Sequence, residues 1–181
     1  LRRVAAREWQ KKITWETVKL IQDEIGDIPL ILKGIMTAED AALAVEHGVQ
    51  GIYISNHGGR QLDHVLGNIQ MLPEVVEAVD GKAEVFIDGG FTRGTDIVKA
   101  LILGAKAVGI GRLQAYALGA GGAEGLVRCL ELLEREINTT MGLIGVTSLD
   151  QLASASVTEA MPVTLPHEHS AFPHLPGGKV G

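Results

Sequence analysis

The chain has 181 residues, 46% hydrophobic and 21% charged, with a formal charge of −6. That size and balance suit one compact domain with a core and exclude an intrinsically disordered chain. The acidic excess, without any basic tract, argues against a nucleic-acid partner, and no apolar stretch reaches the roughly 20 residues of a transmembrane helix, so a soluble protein without a membrane span is expected.

The chain opens on "LRRVAAREW", which has no methionine and resembles neither a signal peptide nor a domain start, and this suggests a fragment. Four short apolar runs then read as buried strands: "PLILK" (29–33), "GIYIS" (51–55), "AEVFID" (83–88) and "AVGIG" (107–111). None alternates polar with apolar residues, which is the mark of parallel strands covered on both faces. Helical patterns fall between them at 38–47, 69–79 and 94–103, with Thr37, Asn68 and Thr95 or Asp96 as caps. After the fourth run, Leu126, Leu130, Leu133, Ile137 and Met141 recur at helical spacing, opposite a polar face of Glu131, Glu134, Arg135 and Glu136. The single cysteine, Cys129, lies on that helix as a core or boundary residue and fits the cytoplasm or another reducing compartment. From Met161 the chain is rich in Pro and Gly and reads as an irregular tail over 161–181, where the His167 and His169 pair is read as incidental rather than as a metal site.

The order βαβα repeats, and it contains an internal echo. "EHGVQGIYISN" and "ILGAKAVGIGR" align without gaps, Gly48 with Gly104 and Ser55 with Gly111. In each copy a glycine stands where a helix needs a left-handed cap before the next strand begins. Such steps describe half of a (β/α)8 barrel, which takes eight strands and roughly 250 residues to close. The other half must come from elsewhere.

Catalytic groups in that architecture stand at the carboxyl ends of the strands. Those ends carry Lys33, then Ser55 with "NHGGR", then Asp88 with "GGFTRG", then Gly111 with Arg112. Glycines at two successive strand ends, one of them just before a helix, can aim backbone N–H groups at an anion, with Arg93 and Arg112 nearby, so a phosphate cradle is expected. Lys33 either pairs with a neighbouring strand or faces an electron-rich cofactor edge. His57 can take a proton from a hydroxyl while Arg60 holds a carboxylate through two parallel hydrogen bonds, which points to a 2-hydroxy acid.

Taken together, "LILKGIMTAEDA", "SNHGGRQLD", "DGGFTRGTDIVKALILGAKAVGIGR" and "GVTSLDQL" closely resemble the FMN-dependent 2-hydroxy-acid dehydrogenase and oxidase family. The resemblance implies an α/β chain that is the C-terminal half, strands five to eight, of a TIM barrel, with residues 1–160 in the barrel domain. It implies oxidation of an L-2-hydroxy acid to the 2-oxo acid with FMN as cofactor and His57 as the base. Lys33 would lie against the flavin N1 and O2 edge, Ser55 would bond the flavin, and Arg60 would bind the substrate carboxylate. Asp88, Gly89, Gly90, Phe91 and Thr92, with Arg93, Gly111 and Arg112, would hold the FMN phosphate. The family commonly carries two arginines after the glycine pair, and here Thr92 replaces the first. The N-terminal half of the same barrel would supply the histidine's aspartate partner and the substrate-facing tyrosines. The first residues of the sequence would then lie just beyond a long protease-sensitive loop that follows the family's fourth strand. A homo-oligomer is expected by the same resemblance. The alternatives are another FMN- or phosphate-binding barrel, an isomerase or dehydrogenase, and a non-catalytic half-barrel that needs a partner fragment.

Overall fold

The computed structural model describes residues 12–159. The opening nonapeptide, the tail over 161–181 and the His167 and His169 pair lie outside the described residues. The elements in chain order are α1 (Trp15–Ile25), β1 (Ile31–Ile35), α2 (Ala38–Glu46), β2 (Gly51–Ile54), α3 (Asn68–Val79), β3 (Glu84–Ile87), α4 (Gly94–Ile102), β4 (Ala107–Val108) and α5 (Arg112–Leu143). The strands form one parallel sheet in the order β1-β2-β3-β4. Each parallel neighbour is reached through a helix, as a parallel pair requires.

Registry sorts the strand residues into two faces. Ile52 and Ile54 of β2 pair with Val85 and Ile87 of β3, and all four are buried. Ala41 and Ala44 of α2, Leu72, Val75 and Val79 of α3 and Ala100 of α4 complete this core. Each large aliphatic side chain buried there contributes about 1.5–3 kcal/mol, which is what fastens the helices to one side of the sheet. The opposite face is open. Lys33, Tyr53, Phe86 and Ala107 lie in register across it, none of them buried, and Ile31 is 48% exposed. The expectation of strands covered on both faces is therefore corrected: among the described residues only the helical side is covered.

The internal echo has a geometric basis. Gly48 (φ +71) and Gly104 (φ +103) both take positive φ, and the same three hydrogen bonds close both helices. In the first copy they run from His47, Gly48 and Val49 to the carbonyls of Leu43, Val45 and Ala44. In the second they run from Leu103, Gly104 and Ala105 to Lys99, Leu101 and Ala100. Thr37 caps α2 by accepting the Asp40 N–H at 3.1 Å. At α4 the cap residue is Arg93, and Asp96 serves by accepting the Arg93 N–H at 3.1 Å. Asn68 is the first residue of α3 rather than its cap, because its side chain is engaged elsewhere.

The long helix begins directly after Gly111 and breaks at Gly121 (φ −151, ψ 21) and Gly122 (φ 59, ψ −144). Beyond the break it packs on α4, with Leu133 and Met141 buried, whereas Leu130 remains 48% exposed. Cys129 is half-buried.

Candidate active site

The carboxyl ends of the four strands surround a cleft of about 770 Å³, within the range of roughly 300–1,000 Å³ usual for cofactor and substrate sites. Lys33, His57 and Arg60 line it together with Asp88 to Thr92 and Gly109 to Arg112.

Lys33 sits mid-strand, just before a register break at Gly34, whose φ is +103. Its ammonium donates to Ser55 Oγ at 2.7 Å and to Asp88 Oδ2 at 2.8 Å, and stands 4.7 Å from the centre of the Tyr53 ring. The ion pair thus runs past β2 to the end of β3, with Ser55 at the end of β2 also hydrogen-bonded to the ammonium, and Lys33 also lines the cleft. Tyr53 stacks on Phe86 with ring centres 6.1 Å apart. Burial first, and then the Asp88 charge, push its phenol above the ordinary tyrosine value.

Ser55 is 1% exposed and its oxygen also accepts the His57 N–H at 3.2 Å. His57 (φ +56), Gly58 (φ +69) and Gly59 (φ +71) form a left-handed run, and Asn56 Oδ1 accepts the Gly59 N–H at 3.2 Å to close it. For a histidine that backbone conformation costs about 1–2 kcal/mol, so the turn is held by its surroundings. The imidazole lies over Gly34: a Cβ there would come 3.1 Å from His57 Cε1. The imidazole is thus held against the strand that carries Lys33. Arg60 is exposed and makes no ion pair with another described residue.

The glycine loops divide the cradle unequally. The N-terminus of α4 is closed by the chain's own carboxylates. Thr92 and Arg93 donate their N–H groups to Asp96 Oδ2 at 3.4 and 3.1 Å, and Gly94 donates to Glu136 Oε2 at 2.7 Å. The expectation that this helix start receives an anion is therefore corrected, and so is the place given to Arg93. Its guanidinium holds Glu136 through Nε at 2.9 Å and Nη2 at 2.7 Å, and it does not line the cleft. Hydrogen bonds from Arg93 and from the Gly94 N–H hold the Glu136 carboxyl below the ordinary carboxylate value.

The Asp88 carboxylate is likewise committed, to Lys33 and to Asn68, so an anion would meet the backbone of this loop rather than that side chain. Phe91 is 6% exposed and contributes its main chain. The N–H groups of Gly89, Gly90 and Phe91 make no hydrogen bond to another described residue. Across the cleft, α5 begins at Arg112, and the Arg112 guanidinium lies near Gly58, where a Cβ would be 3.6 Å from Nη2. The first amides of α5 have no intrahelical acceptor. Three cations, unbonded glycine amides and a cleft of this volume fit a flat cofactor with a phosphate tail.

Tyr53, Asn56, Asn68, Gln61 and Tyr116 were not singled out for the site by sequence reasoning, although Tyr53, Gln61 and Tyr116 line the cleft. A signal for Tyr53 existed: two residues before Ser55 on a strand, it must share that residue's face. Asn68 had none beyond its helix-start position, because its bonds run to residues distant in sequence.

The parallel sheet and its strand-end cleft describe a class, α/β proteins that hold a phosphorylated cofactor at the ends of their strands. The chain belongs to the FMN-dependent dehydrogenase family, whose sequence model matches residues 1–159. It is 47% identical over 147 residues to the L-lactate oxidase of Nostoc sp., covering 81% of this chain and 40% of that protein. To 2-hydroxyacid oxidase 1 of Homo sapiens it is 47% identical over 140 residues, covering 77% and 38%. A crystal structure of mandelate oxidase with (S)-2-phenylpropionate superposes with a TM-score of 0.75 at 46% identity, covering 78% of this chain and 42% of the other. Another, with benzoyl-formic acid, gives the same values. The chain thus spans about two fifths of the length of the curated relatives it matches.

Proposed function

We propose that this chain is the C-terminal half of a (β/α)8 barrel that oxidises an L-2-hydroxy acid to the 2-oxo acid with FMN. One observation carries the reading. His57, Arg60 and Lys33 line one cleft together with the glycine loops at Gly89–Gly90 and Gly109–Gly111 and with Arg112. A base and a guanidinium in one cleft suit a substrate with a hydroxyl and a carboxylate on adjacent carbons, and the unbonded glycine amides with Arg112 suit a phosphate.

Lys33, steadied by the buried Ser55, would hold the ring edge, and the amides of Gly89, Gly90, Phe91 and Gly111, with Arg112, would hold the phosphate. FMN, when bound, accepts the two electrons that leave the substrate. Arg60 fixes the substrate carboxylate through its two-pronged guanidinium, which sets the position of the neighbouring carbon. His57 takes the hydroxyl proton on a ring nitrogen. Lys33 would supply a positive charge on the cleft wall, where it would offset negative charge on the reduced cofactor. Thr92 leaves the cradle with Arg112 as its guanidinium.

The exposed sheet face and the unpaired edges of β1 and β4 among the described residues support a missing complement. The N-terminal half of the same barrel fits that need, and it would exclude water from the cleft. In the full-length protein, His57→Gln is expected to retain FMN and to lose nearly all reduction of the flavin by substrate, read by stopped-flow absorbance. Undiminished reduction would remove His57 from its role.

A further inference from the structure

Asn68 is 3% exposed, and both ends of its amide are used. Its Oδ1 accepts the Asn56 N–H at 3.1 Å, and its Nδ2 donates to Asp88 O at 2.7 Å and to Asp88 Oδ1 at 3.3 Å. The residue after Asp88 is a glycine, and a Cβ there would come within 2.5 Å of that Nδ2, so the amide passes through space that a side chain would fill. From Asp88 the bonds continue through Lys33 to Ser55 and through Ser55 to the His57 N–H. The path closes on itself, since Asn56 to His57 is one peptide bond. The ring joins β1 to the ends of β2 and β3, and Asn68 is its one member on an α-helix.

We infer that Asn68 is a positioning residue for the reaction proposed above, orienting Lys33 and the His57 turn through Asp88 and Asn56. The Asp88 carboxylate is shared, one oxygen with Asn68 and the other with Lys33, so the direction of the Asn68 amide decides which way the lysine's partner faces. The demand is for a donor and an acceptor on one planar group. An amide meets it, and a carboxylate does not. In Asn68→Asp the new carboxylate would face the Asp88 carbonyl and carboxylate, with Lys33 and, beyond Asn56, His57 as the other ionisable groups around it. Two such carboxyls share one proton more readily than they both ionise. Protonation of the introduced carboxyl restores a donor at this position, so the substitution should be repaired by acid.

This inference rests on the FMN reading, and the test separates the two. In the full-length FMN-loaded protein, Asn68→Asp is expected to slow flavin reduction at pH 8 by roughly 10- to 100-fold relative to the unsubstituted protein, and that ratio, taken at equal pH, is expected to shrink as the pH falls. Asn68→Ala is expected to be slow at every pH, with flavin content unchanged in both. Reduction at the unsubstituted rate in both variants would overturn the inference. If the unsubstituted protein is itself not reduced by any 2-hydroxy acid, the reaction reading fails, and the positioning claim is read instead from acylation of Lys33 by acetic anhydride, followed by peptide mass spectrometry. Several-fold faster labelling in Asn68→Ala supports it, and an unchanged rate sinks it.

Discussion

At the scale of single residues, His57 combines a strained backbone with an exposed imidazole. Its φ of +56 is a conformation that glycine adopts without penalty. His57→Gly is therefore expected to raise the unfolding free energy by about 0.5–1 kcal/mol, or leave it unchanged, while abolishing substrate oxidation, checked by denaturant melts beside a turnover assay. A clear loss of stability would mean that the imidazole holds the turn rather than the reverse. Arg60 has no partner to lose among the described residues, so Arg60→Lys should weaken substrate binding with little change in flavin content or stability, as seen by titration with a 2-hydroxy acid. That His57 and Arg60 line one cleft was legible because both lie in one loop. The commitment of Arg93 to Glu136 was not, since Glu136 lies far along the chain on α5 and only folding brings it to the start of α4.

At the scale of elements, that carboxylate ties α5 to the start of α4, beside the buried Leu133 and Met141. Hydrogen bonds from Arg93 and Gly94 lower the Glu136 pKa in the folded state. The stabilisation is therefore fully present above the ordinary carboxylate range and is lost as the pH falls through the lowered value. Glu136→Gln should flatten this acid limb, which thermal melts between neutral pH and about pH 3 would reveal; an unaltered limb would assign it to other carboxylates. The core makes a larger demand. Ile87 is fully buried between sheet and helices, and Ile87→Ala is expected to cost about 2–5 kcal/mol by chemical denaturation. Helices and strands were readable from periodicity and glycine caps, and the Gly48 and Gly104 echo is one capping geometry used twice. The reach of β4 is shorter than its apolar pattern implies. "AVGIG" reads as one strand, yet the strand ends at Val108, with one more backbone hydrogen bond from Gly109 N–H to the Ile87 carbonyl, and Gly109 to Gly111 line the cleft.

For the whole molecule, the four-stranded sheet has a covered face and an open one. Apolar continuity along the strands implies burial on both sides, and the open face meets that implication only if further strands complete it. This chain alone is expected to bind a hydrophobic dye and to bind flavin weakly, and to gain flavin when mixed with the matching N-terminal half. The most direct measurement of the central claim is the visible absorption spectrum of the full-length protein as lactate, glycolate and mandelate are added in turn under anaerobic conditions. The account predicts flavin bands that bleach with at least one of these acids. A flavin-free spectrum, or flavin bands that none of the three bleaches, would contradict it.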